Sequence, residues 1–394
     1  MFEIDKYFID VGYSNLNKFG EELCGDKVEW HSIENGMVAV LSDGLGSGVK
    51  ANILATLTSK IALTMLINGS SIEEVVSTLI STLPVCKVRE LAYSTFTVVK
   101  VMNDGKVYIV RFDNPPVLLK RGDNVFPLEG EEHGVEDKTV KEIKMDMKEG
   151  DTLVSISDGV IHAGIGAILN FGWQLDNLAT YVKKIPDNIS ALSISKKIVA
   201  TCNHLYGEKP GDDTSVLVIK CTVPKKVTIF TGPPLNQEDD SLVVSKLLAS
   251  GGKKIVCGGT AAKIVARETH QEIKVEMDIV NDEVPPIGYL HGVDLVTEGV
   301  LTLKLALEIL NKYKNNIEHL DDLFIKNRDK NGIYLLLKTL LDEGTHIKFL
   351  FGRSINPAHK NFDFPQDLAS KLEIVKKLKK RLIELGKVVE IEYF

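Results

Sequence analysis

The chain of 394 residues lacks most features of secreted, membrane-spanning and nucleic-acid-binding proteins. Its five cysteines are scattered and form no CxxC pair, so neither a disulfide framework nor a structural zinc site is indicated, which fits a reducing cytosol. No basic segment followed by an apolar run opens the chain, so we expect no signal peptide. No stretch approaches the ~20 apolar residues that a membrane span needs. The net charge of −7 gives no electrostatic reason to expect nucleic acid or an anionic membrane as a partner.

The composition is that of an ordinary globular protein, with 44% hydrophobic and 26% charged residues. The length favours two or three domains, each able to bury a core. We therefore expect a cytoplasmic protein, and a homodimer is compatible with the sequence.

The most informative stretch is Met37–Gly48, Met-Val-Ala-Val-Leu-Ser-Asp-Gly-Leu-Gly-Ser-Gly. Its apolar start predicts a short buried strand that ends at Ser-Asp-Gly, and the glycine-rich remainder leads into an apolar helix. The Asp43 carboxylate is thereby placed at a strand end, where glycine follows most easily. The glycines match neither a Walker loop nor GxGxxG, because Val49 stands where the third glycine would be. A nucleotide loop is therefore disfavoured here.

Two further acidic positions repeat this pattern. Asp158 ends a second predicted strand within 151–159, and Asp212-Asp213 precedes a third strand, Ser215–Lys220. Each alone is typical of a turn, but together with Asp43 they predict one metal site assembled by the fold. Carboxylates without histidine or cysteine partners favour Mg²⁺ or Mn²⁺. One aspartate can bridge two ions ~3.5–4 Å apart, which activate a water for attack on phosphorus without a protein nucleophile.

The elements between these positions predict layers of sheet and helix. Residues 49–68 are apolar on most faces, which predicts a helix packed between layers. Ser71 and Glu74 form a capping box for a helix at 72–82. An Asn-Asp-Gly turn at 103–105 and an Arg-Gly-Asp-Asn turn at 121–124 predict two hairpins, and helices are expected on both sides of Pro186. We expect packed sheets with helices outside.

The pattern changes near residues 221–226. Beyond them, strands alternate with glycine-containing loops and helices, which predicts a separate α/β domain at 225–394 after a first domain at 1–222. Gly258-Gly259-Thr260, entering a helix, either presents backbone N–H groups to a phosphate or forms a turn for close helix–strand packing. We recognise no family in the second domain, and we expect it to be regulatory or partner-binding.

The motifs of the first half resemble those of the type 2C (PPM) serine/threonine protein phosphatases, specifically the bacterial sporulation stage II protein E branch. They are Cys24-Gly25-Asp26, the stretch 40–48, Ser94-Thr95-Phe96, Asn114-Pro115-Pro116, the stretch 150–159 and the stretch 212–216. The likeness covers residues 8–221 in the right order. It implies an α+β fold, an αββα sandwich of two antiparallel sheets flanked by helices, with a binuclear Mn²⁺ or Mg²⁺ centre between the sheets. It also implies hydrolysis of phosphoserine or phosphothreonine on a protein, in that branch commonly an anti-sigma-factor antagonist of the STAS type.

Carried over position by position, the resemblance implies a ligand set of Asp26, Asp43, Gly44, Asp158, Asp212 and Asp213. Asp43 would bridge both ions and the Gly44 carbonyl would bind one of them, while Asp158 and Asp212 would complete the other. These three aspartates are the expected catalytic residues. Asp26 matches an acidic position at or next to an ion, and Asp213 replaces an asparagine common in eukaryotic members.

One feature of eukaryotic relatives is missing, because no histidine fits the position of their general acid. His31 and His162 are near in sequence, but neither belongs to a motif. Two other interpretations stay open: a catalytically silent scaffold with the phosphatase fold, and a nucleotide or ligand sensor that uses the C-terminal domain around Gly258-Gly259.

Overall fold

The structure, a computed structural model, describes residues 7–82, 85–86, 91–92, 94–135, 138–275, 287–315, 320–324, 328, 331–354 and 366–394. It divides into two compact units that meet in sequence at Val223 and Pro224. Each unit is described by itself below.

The first unit contains thirteen strands and five helices among the described residues. In chain order they are β1 (Phe8–Leu16), β2 (Asp26–Ile33), β3 (Gly36–Gly44), α1 (Gly48–Ile67), α2 (Ile72–Thr82), β4 (Val85–Cys86), β5 (Leu91–Ala92), β6 (Ser94–Met102), β7 (Lys106–Phe112), β8 (Val117–Arg121), β9 (Asn124–Leu128), β10 (Glu131–Val135), β11 (Lys138–Asp146), β12 (Thr152–Ile156), α3 (Asp158–Ile161), α4 (Leu175–Lys184), α5 (Ala191–Leu205) and β13 (Thr214–Thr222).

Two antiparallel sheets form the centre of this unit. The first sheet has the order β1-β13-β12-β8-β9 and the second β10-β11-β7-β6-β3-β2. The two predicted hairpins are both present, but they belong to different sheets, because the chain crosses over at Asn114-Pro115-Pro116 between β7 and β8. The expected αββα sandwich is confirmed.

The apolar run of β3 is explained by its position between two cores. Ala39 and Leu41 point into a core shared with the other sheet, where they join Leu153 and Leu217. Val38 and Val40 point the other way, into a core shared with α1 and α2. Because successive side chains of a strand alternate between faces, a strand covered on both sides is apolar throughout.

Helix α1 is an outer layer rather than the inner one that its composition predicted. Its inner face packs on the sheet through Ala62, Leu63 and Leu66. On the outer face Val49 and Ile53 are each 58% exposed. Among the described residues, α1 is also the one helix long and apolar enough to cross a membrane, with a mean hydropathy of 1.2, which corrects the expectation that no such stretch exists. Its inner face is a packing face of this domain.

On the opposite side of the sandwich, β1 meets the start of α5 at very close range. The buried Asp10 carboxylate accepts a hydrogen bond from the Ala191 backbone N–H at 2.7 Å, which places a negative charge at the helix N-terminus. At Gly12 a Cβ would lie 2.1 Å from the Leu192 nitrogen. Only a residue without a side chain fits between the strand and the helix here.

The second unit contains a seven-stranded sheet with the order β16-β17-β18-β15-β14-β19-β20. Its elements are β14 (Lys226–Thr231), α6 (Asp240–Ala249), β15 (Lys253–Cys257), α7 (Gly259–Thr269), β16 (Lys274–Val275), β17 (Gly288–Tyr289), β18 (Leu295–Thr297), α8 (Val300–Asn315), α9 (Leu320–Leu323), α10 (Gly332–Lys338), β19 (His346–Phe351), α11 (Gln366–Glu384) and β20 (Val388–Tyr393). β18, β15, β14, β19 and β20 run parallel, and β16–β17 is an antiparallel addition at one edge. Phe230 and Val256 contact α6 and α7 on one face, while the neighbouring Ile229 and Ile255 are fully buried on the other. This is the α/β arrangement that the sequence predicted.

We expect Gly12→Ala to destabilise the first unit by at least ~1–3 kcal/mol, because the added methyl group overlaps the backbone of α5. Gly134→Ala is the matched control, since Gly134 also lies in a strand and a Cβ there meets nothing within 4 Å. Urea unfolding followed by circular dichroism measures both. Equal midpoints for the two variants would contradict the close strand–helix approach.

Candidate metal centre

Two of the predicted ligands are brought together by the pairing of β2 with β3. Asp26 is the first residue of β2 and lies directly opposite Asp43, the last residue but one of β3. Opposed residues of antiparallel strands have Cβ atoms ~4.5–5.5 Å apart, and like charges in that position repel. The backbone therefore places two carboxylates at one end of the second sheet, in a position that a cation would stabilise.

Gly44 ends β3 at a point where the backbone of α1 approaches. A Cβ on Gly44 would lie 2.1 Å from the Ala51 carbonyl oxygen, so the following helix starts against this glycine. Its N–H donates to the Gly25 carbonyl at 3.3 Å, which ties the end of β3 to the start of β2. The Ser-Asp-Gly motif is thus required both for its carboxylate and for its missing side chain.

The other sheet contributes Asp158 and Asp212. Asp158 begins α3 directly after β12, and Asp212 lies just before β13. The Ser157 hydroxyl accepts a hydrogen bond from the Ser215 N–H at 2.8 Å, and the Ser157 N–H donates to the Ser215 carbonyl at 3.0 Å. These two bonds hold the ends of β12 and β13 side by side.

The four carboxylates form one electrostatic cluster. Burial is the main cause that raises the pKa of Asp43, and the charges of Asp26, Asp158 and Asp212 raise it further. Together they bring this pKa to about 9. Burial is also the main cause that raises the pKa of Asp26, to about 7, although the nearby hydroxyls of Ser157 and Ser215 act in the opposite direction. The pKa of Asp158 is raised as well, by burial and then by Asp212.

Asp26 gives the clearest sign that the cluster is built for cations. The residue is 3% exposed, and neither of its carboxylate oxygens has a hydrogen-bond partner among the residues that the structure describes. A buried carboxylate normally has partners that offset its loss of hydration. The donor set here consists of oxygens, which suits Mg²⁺ or Mn²⁺.

Asp213 lies beside the cluster and has a different set of contacts. Its Oδ1 accepts a hydrogen bond from the Lys18 backbone N–H at 3.0 Å, and its Oδ2 lies against Gly25, where a Cβ would be 2.6 Å away. Burial raises the pKa of this carboxyl. Asp213 therefore anchors the loop between β1 and β2 next to Asp26, and its role as an ion ligand stays a prediction.

A buried chain of hydroxyls supports Asp43 from behind. Ser94 donates to the Asp43 carbonyl at 3.0 Å and lies 2.6 Å from the Ser42 hydroxyl. Thr95 donates to the side-chain oxygen of Asn114 at 2.5 Å, and the Asn114 amide donates to Thr97 at 3.0 Å. The Ser94-Thr95-Phe96 and Asn114-Pro115-Pro116 motifs thus belong to one network that fixes the end of β3. Their spacing alone did not reveal this function.

The two histidines that lie near the Asp motifs in sequence, His31 and His162, differ in where the structure places them. His31 lies within β2, five residues from Asp26, and pairs with Val38. His162 lies one turn beyond Asp158, with its Nδ1 3.9 Å from the Asp158 Oδ2. Sequence reasoning noted His162 but found no motif for it. The i, i+4 spacing from Asp158 was the signal available.

Comparison with known proteins gives one family match. The sequence model of the family "Stage II sporulation protein E (SpoIIE)" matches residues 34–222. The stage II sporulation protein E of Bacillus subtilis (strain 168) is 22% identical over 219 residues, which are 54% of this chain and 26% of that protein. The chain thus spans about a quarter of this curated relative.

Solved structures that this chain matches include the PP2C phosphatase domain, with a fragment of the regulatory domain, of SpoIIE from Bacillus subtilis. The two chains are 21% identical in sequence, the match covers 55% of this chain and 64% of the SpoIIE chain, and the TM-score is 0.48. The RsbU and RsbW domains of a Mycobacterium tuberculosis protein are 17% identical, with 61% and 67% coverage and a TM-score of 0.46. RsbX in complex with magnesium is 16% identical, with 54% and 96% coverage and a TM-score of 0.41.

We expect the metal-free protein to lose stability as pH rises through about 7 and about 9. Asp26 and Asp43 have folded-state pKa values above the ~3.9 of an unfolded aspartate, so in this range the folded state binds more protons than the unfolded state. The stabilisation is fully present below about pH 4 and is lost as pH rises through the folded pKa values. Added Mn²⁺ should raise the thermal midpoint more at high pH than at low pH, because it replaces those protons.

Thermal unfolding in chelator, measured from about pH 5 to about pH 9, gives the slope directly. Asp43→Asn removes one of the two titrations and should flatten the fall, whereas Asp123→Asn, at an exposed hairpin turn, should keep it. A midpoint that rises steadily over this range in the wild type would contradict the carboxylate cluster.

Proposed function

We propose that this chain is a metal-dependent protein serine/threonine phosphatase, because residues 34–222 match the sequence model of the SpoIIE family and carry the motifs that resemble those of the PPM phosphatases. The observation that carries the proposal is the convergence of Asp26, Asp43, Asp158 and Asp212, from two sheets, into one partly buried cluster. A cluster of this charge needs compensation by cations, and phosphatases of this class use Mg²⁺ or Mn²⁺.

We propose a centre of two ions held by the residues that the resemblance indicates. Asp43 interacts electrostatically with the three other aspartates, Asp26, Asp158 and Asp212. In such a centre Asp43 would be a ligand of both ions, the Gly44 carbonyl a ligand of one of them, and Asp158 and Asp212 ligands of the other. When bound, divalent ions supply an activated water as nucleophile and neutralise the phosphoryl oxygens. The protein residues fix the ion positions, and the Ser94 network keeps the Asp43 backbone from shifting.

We propose a phosphoserine or phosphothreonine of a regulatory protein as the substrate. The anti-sigma-factor antagonists of the STAS type, common substrates in this branch, are the class to test first. A cytoplasmic location and a homodimer belong to the same proposal. The remaining interpretation, a catalytically silent scaffold, is opposed by the intact set of four aspartates.

Asp43→Asn should lower the rate of phosphate release at least ~10²-fold, because it removes a ligand charge shared by both ions. The assay uses p-nitrophenyl phosphate and a phosphoserine peptide, with Mn²⁺, with Mg²⁺ and with chelator. Asp123→Asn is the control that also removes one carboxylate but lies on an exposed turn. Turnover that persists in Asp43→Asn would exclude the proposed centre.

Turnover that is absent from the folded full chain with either metal has two explanations, which a truncation separates. Residues 1–223 form a compact unit with its own cores and contain every proposed ligand. Activity in this truncation would identify the C-terminal unit as inhibitory, whereas an inactive, folded truncation would support the scaffold.

A second candidate function, ligand sensing by the C-terminal unit, is favoured by its strand order. Numbered along the chain, the parallel strands β14, β15, β18, β19 and β20 lie in the order third, second, first, fourth, fifth. Open parallel sheets of this order bind ligands outside the carboxyl ends of the strands, where the order reverses. In this unit that point lies between β14 and β19.

The residues at this reversal are two glycines and a lysine. Gly232 follows β14 and Gly352 follows β19, and a Cβ on Gly232 would lie 2.7 Å from the Gly352 oxygen and 3.3 Å from the Nζ of Lys371. The ammonium group of Lys371 has no hydrogen bond or ion pair within the described part of the chain. Burial lowers its pKa, and the Cys257 sulfur opposes that shift. A cation in this position is suited to an anionic ligand such as a phosphate.

The Gly258-Gly259 turn is explained only in part by its backbone and its packing. Gly258 has a φ of +123°, and a Cβ on Gly299 would lie 3.1 Å from the Gly258 Cα, so the loops after β15 and β18 touch through their backbones. A Cβ on Gly259 would meet nothing within 4 Å, so packing does not account for this second glycine, and the phosphate binding that the sequence left open stays a prediction.

We expect Lys371→Ala to weaken the binding of ATP or inorganic phosphate to the full chain ~10-fold or more, because a charged hydrogen bond contributes ~1.5–3 kcal/mol. Lys376→Ala is the matched control, since Lys376 lies on the same helix and is exposed. Calorimetric titration measures both. Absence of binding by the wild type, or equal binding by the two variants, would exclude a ligand at this point.

A further inference from the structure

The metal cluster contains a nitrogen donor that the proposed function does not use. Donor atoms of Asp158, His162 and Asp212 all lie within 4.8 Å of one another. Among the residues that the structure describes, these three form the one group of metal-ligating side chains whose donor atoms lie this close together. His162 is thus added to two of the carboxylates on which the proposed centre depends.

The backbone holds His162 firmly in this position. Its N–H donates to the Asp158 carbonyl at 3.0 Å, and its own carbonyl accepts from the Ile165 N–H at 3.0 Å. The loop that follows returns to the same place, because Gln174 donates to the Ile161 carbonyl at 3.0 Å and a Cβ on Gly172 would lie 3.0 Å from the His162 Cα. The imidazole is therefore presented beside Asp158 by a fixed turn.

A simple ion pair does not account well for this arrangement. The His162 and Asp158 side chains are 48% and 51% exposed and 3.9 Å apart, and an exposed pair of this kind contributes ~0–1 kcal/mol. His204 and Glu208 form a pair with the same i, i+4 spacing, 3.7 Å apart. No third donor joins that pair among the described residues. It provides a direct comparison for a histidine that does nothing more.

The distances suit a shared ion after a small movement. Two donors ~2.1 Å from one ion are at most ~4.2 Å apart, so the group must contract by ~0.6 Å from its widest separation. The half-exposed side chains of Asp158 and His162 can rotate to allow this. The i, i+4 spacing on a helical turn is also the spacing at which two side chains bind one metal ion in helical metal sites.

We propose that His162 is a ligand of the ion held by Asp158 and Asp212. The inference rests on the proposed phosphatase centre and adds a selectivity to it. Imidazole nitrogen binds Mn²⁺, Co²⁺ and Zn²⁺, whereas Mg²⁺ takes oxygen ligands almost throughout. The centre therefore prefers a transition-metal ion over Mg²⁺ at this position.

The test measures metal binding to the purified full chain, without any assay of turnover. Mn²⁺ binding is followed by the loss of the free-ion paramagnetic resonance signal, Co²⁺ binding by its visible absorption, and Mg²⁺ binding by competition. We expect His162→Ala to weaken Mn²⁺ binding ~10-fold or more, by analogy with the 10–100-fold losses seen when groups next to a metal ligand are changed. The Mg²⁺ affinity should change less than ~2-fold, since oxygen ligands dominate its binding. The Co²⁺ spectrum should shift, because one nitrogen ligand is lost.

Two further variants make each outcome decisive. His204→Ala removes the comparison histidine and should leave all three affinities unchanged. His162→Gln replaces the nitrogen donor by an amide oxygen and should keep the Mg²⁺ affinity while the preference for Mn²⁺ is lost. If His162→Ala binds Mn²⁺ and Co²⁺ as the wild type does while Asp43→Asn does not, the centre exists and His162 is not a ligand. If the wild type itself binds no divalent ion, both the proposed centre and the role of His162 as a ligand are excluded.

Discussion

The first unit depends on one electrostatic constraint, the gathering of negative charge at the meeting point of two sheets. Asp26 and Asp43 come from one sheet, Asp158 and Asp212 from the other, and burial adds to their mutual repulsion. Without cations, the fold can hold these groups together only by binding protons, which is why their pKa values rise. Metal binding and the stability of the sandwich are therefore linked, because the carboxylates that would bind the ions destabilise the metal-free fold when they are ionised.

The architecture contains features that offset this repulsion locally. The Asp10 carboxylate and the α5 N-terminus hold the outer edge of one sheet, and the Ser157–Ser215 bonds hold the strand ends that carry two ligands. Ser94 binds the Asp43 carbonyl and so fixes the other sheet. The Asp10–Ala191 bond and one of the two Ser157–Ser215 bonds join backbone to side chain in buried positions. Such contacts are costly to break because they leave an unpaired polar group. The rigidity of the site thus comes from its surroundings rather than from the carboxylates.

The parts of the fold that could be predicted from sequence are those with strong local signals. The Ser71–Glu74 capping box is present, with both reciprocal bonds, and the Asn-Asp-Gly hairpin pairs β6 with β7 as expected. The hairpin of β10 and β11 was missed, because β10 is an edge strand whose residues Glu131–Gly134 are exposed and polar. The side of α1 that faces outward was also missed, since exposed Val49 and Ile53 look the same in sequence as buried ones.

In the candidate site too, local sequence motifs could be predicted, whereas contacts that arise only in the tertiary fold could not. The three Asp motifs were visible because glycine and strand patterns mark them, and all three lie within residues 34–222, which match the family model. The contact of His162 with Asp158 had only its i, i+4 spacing as a signal in the sequence, because its geometry depends on the sharp end of α3 and on the returning loop at Gly172. Lys371 is a still more distant case: it lies 139 residues beyond Gly232, so that only the order of five parallel strands brings the two together. The neighbours that give such a residue its function are set by the topology of the fold, which a local sequence pattern does not encode. The unassigned second unit therefore has to be read from its sheet order first and from its motifs second.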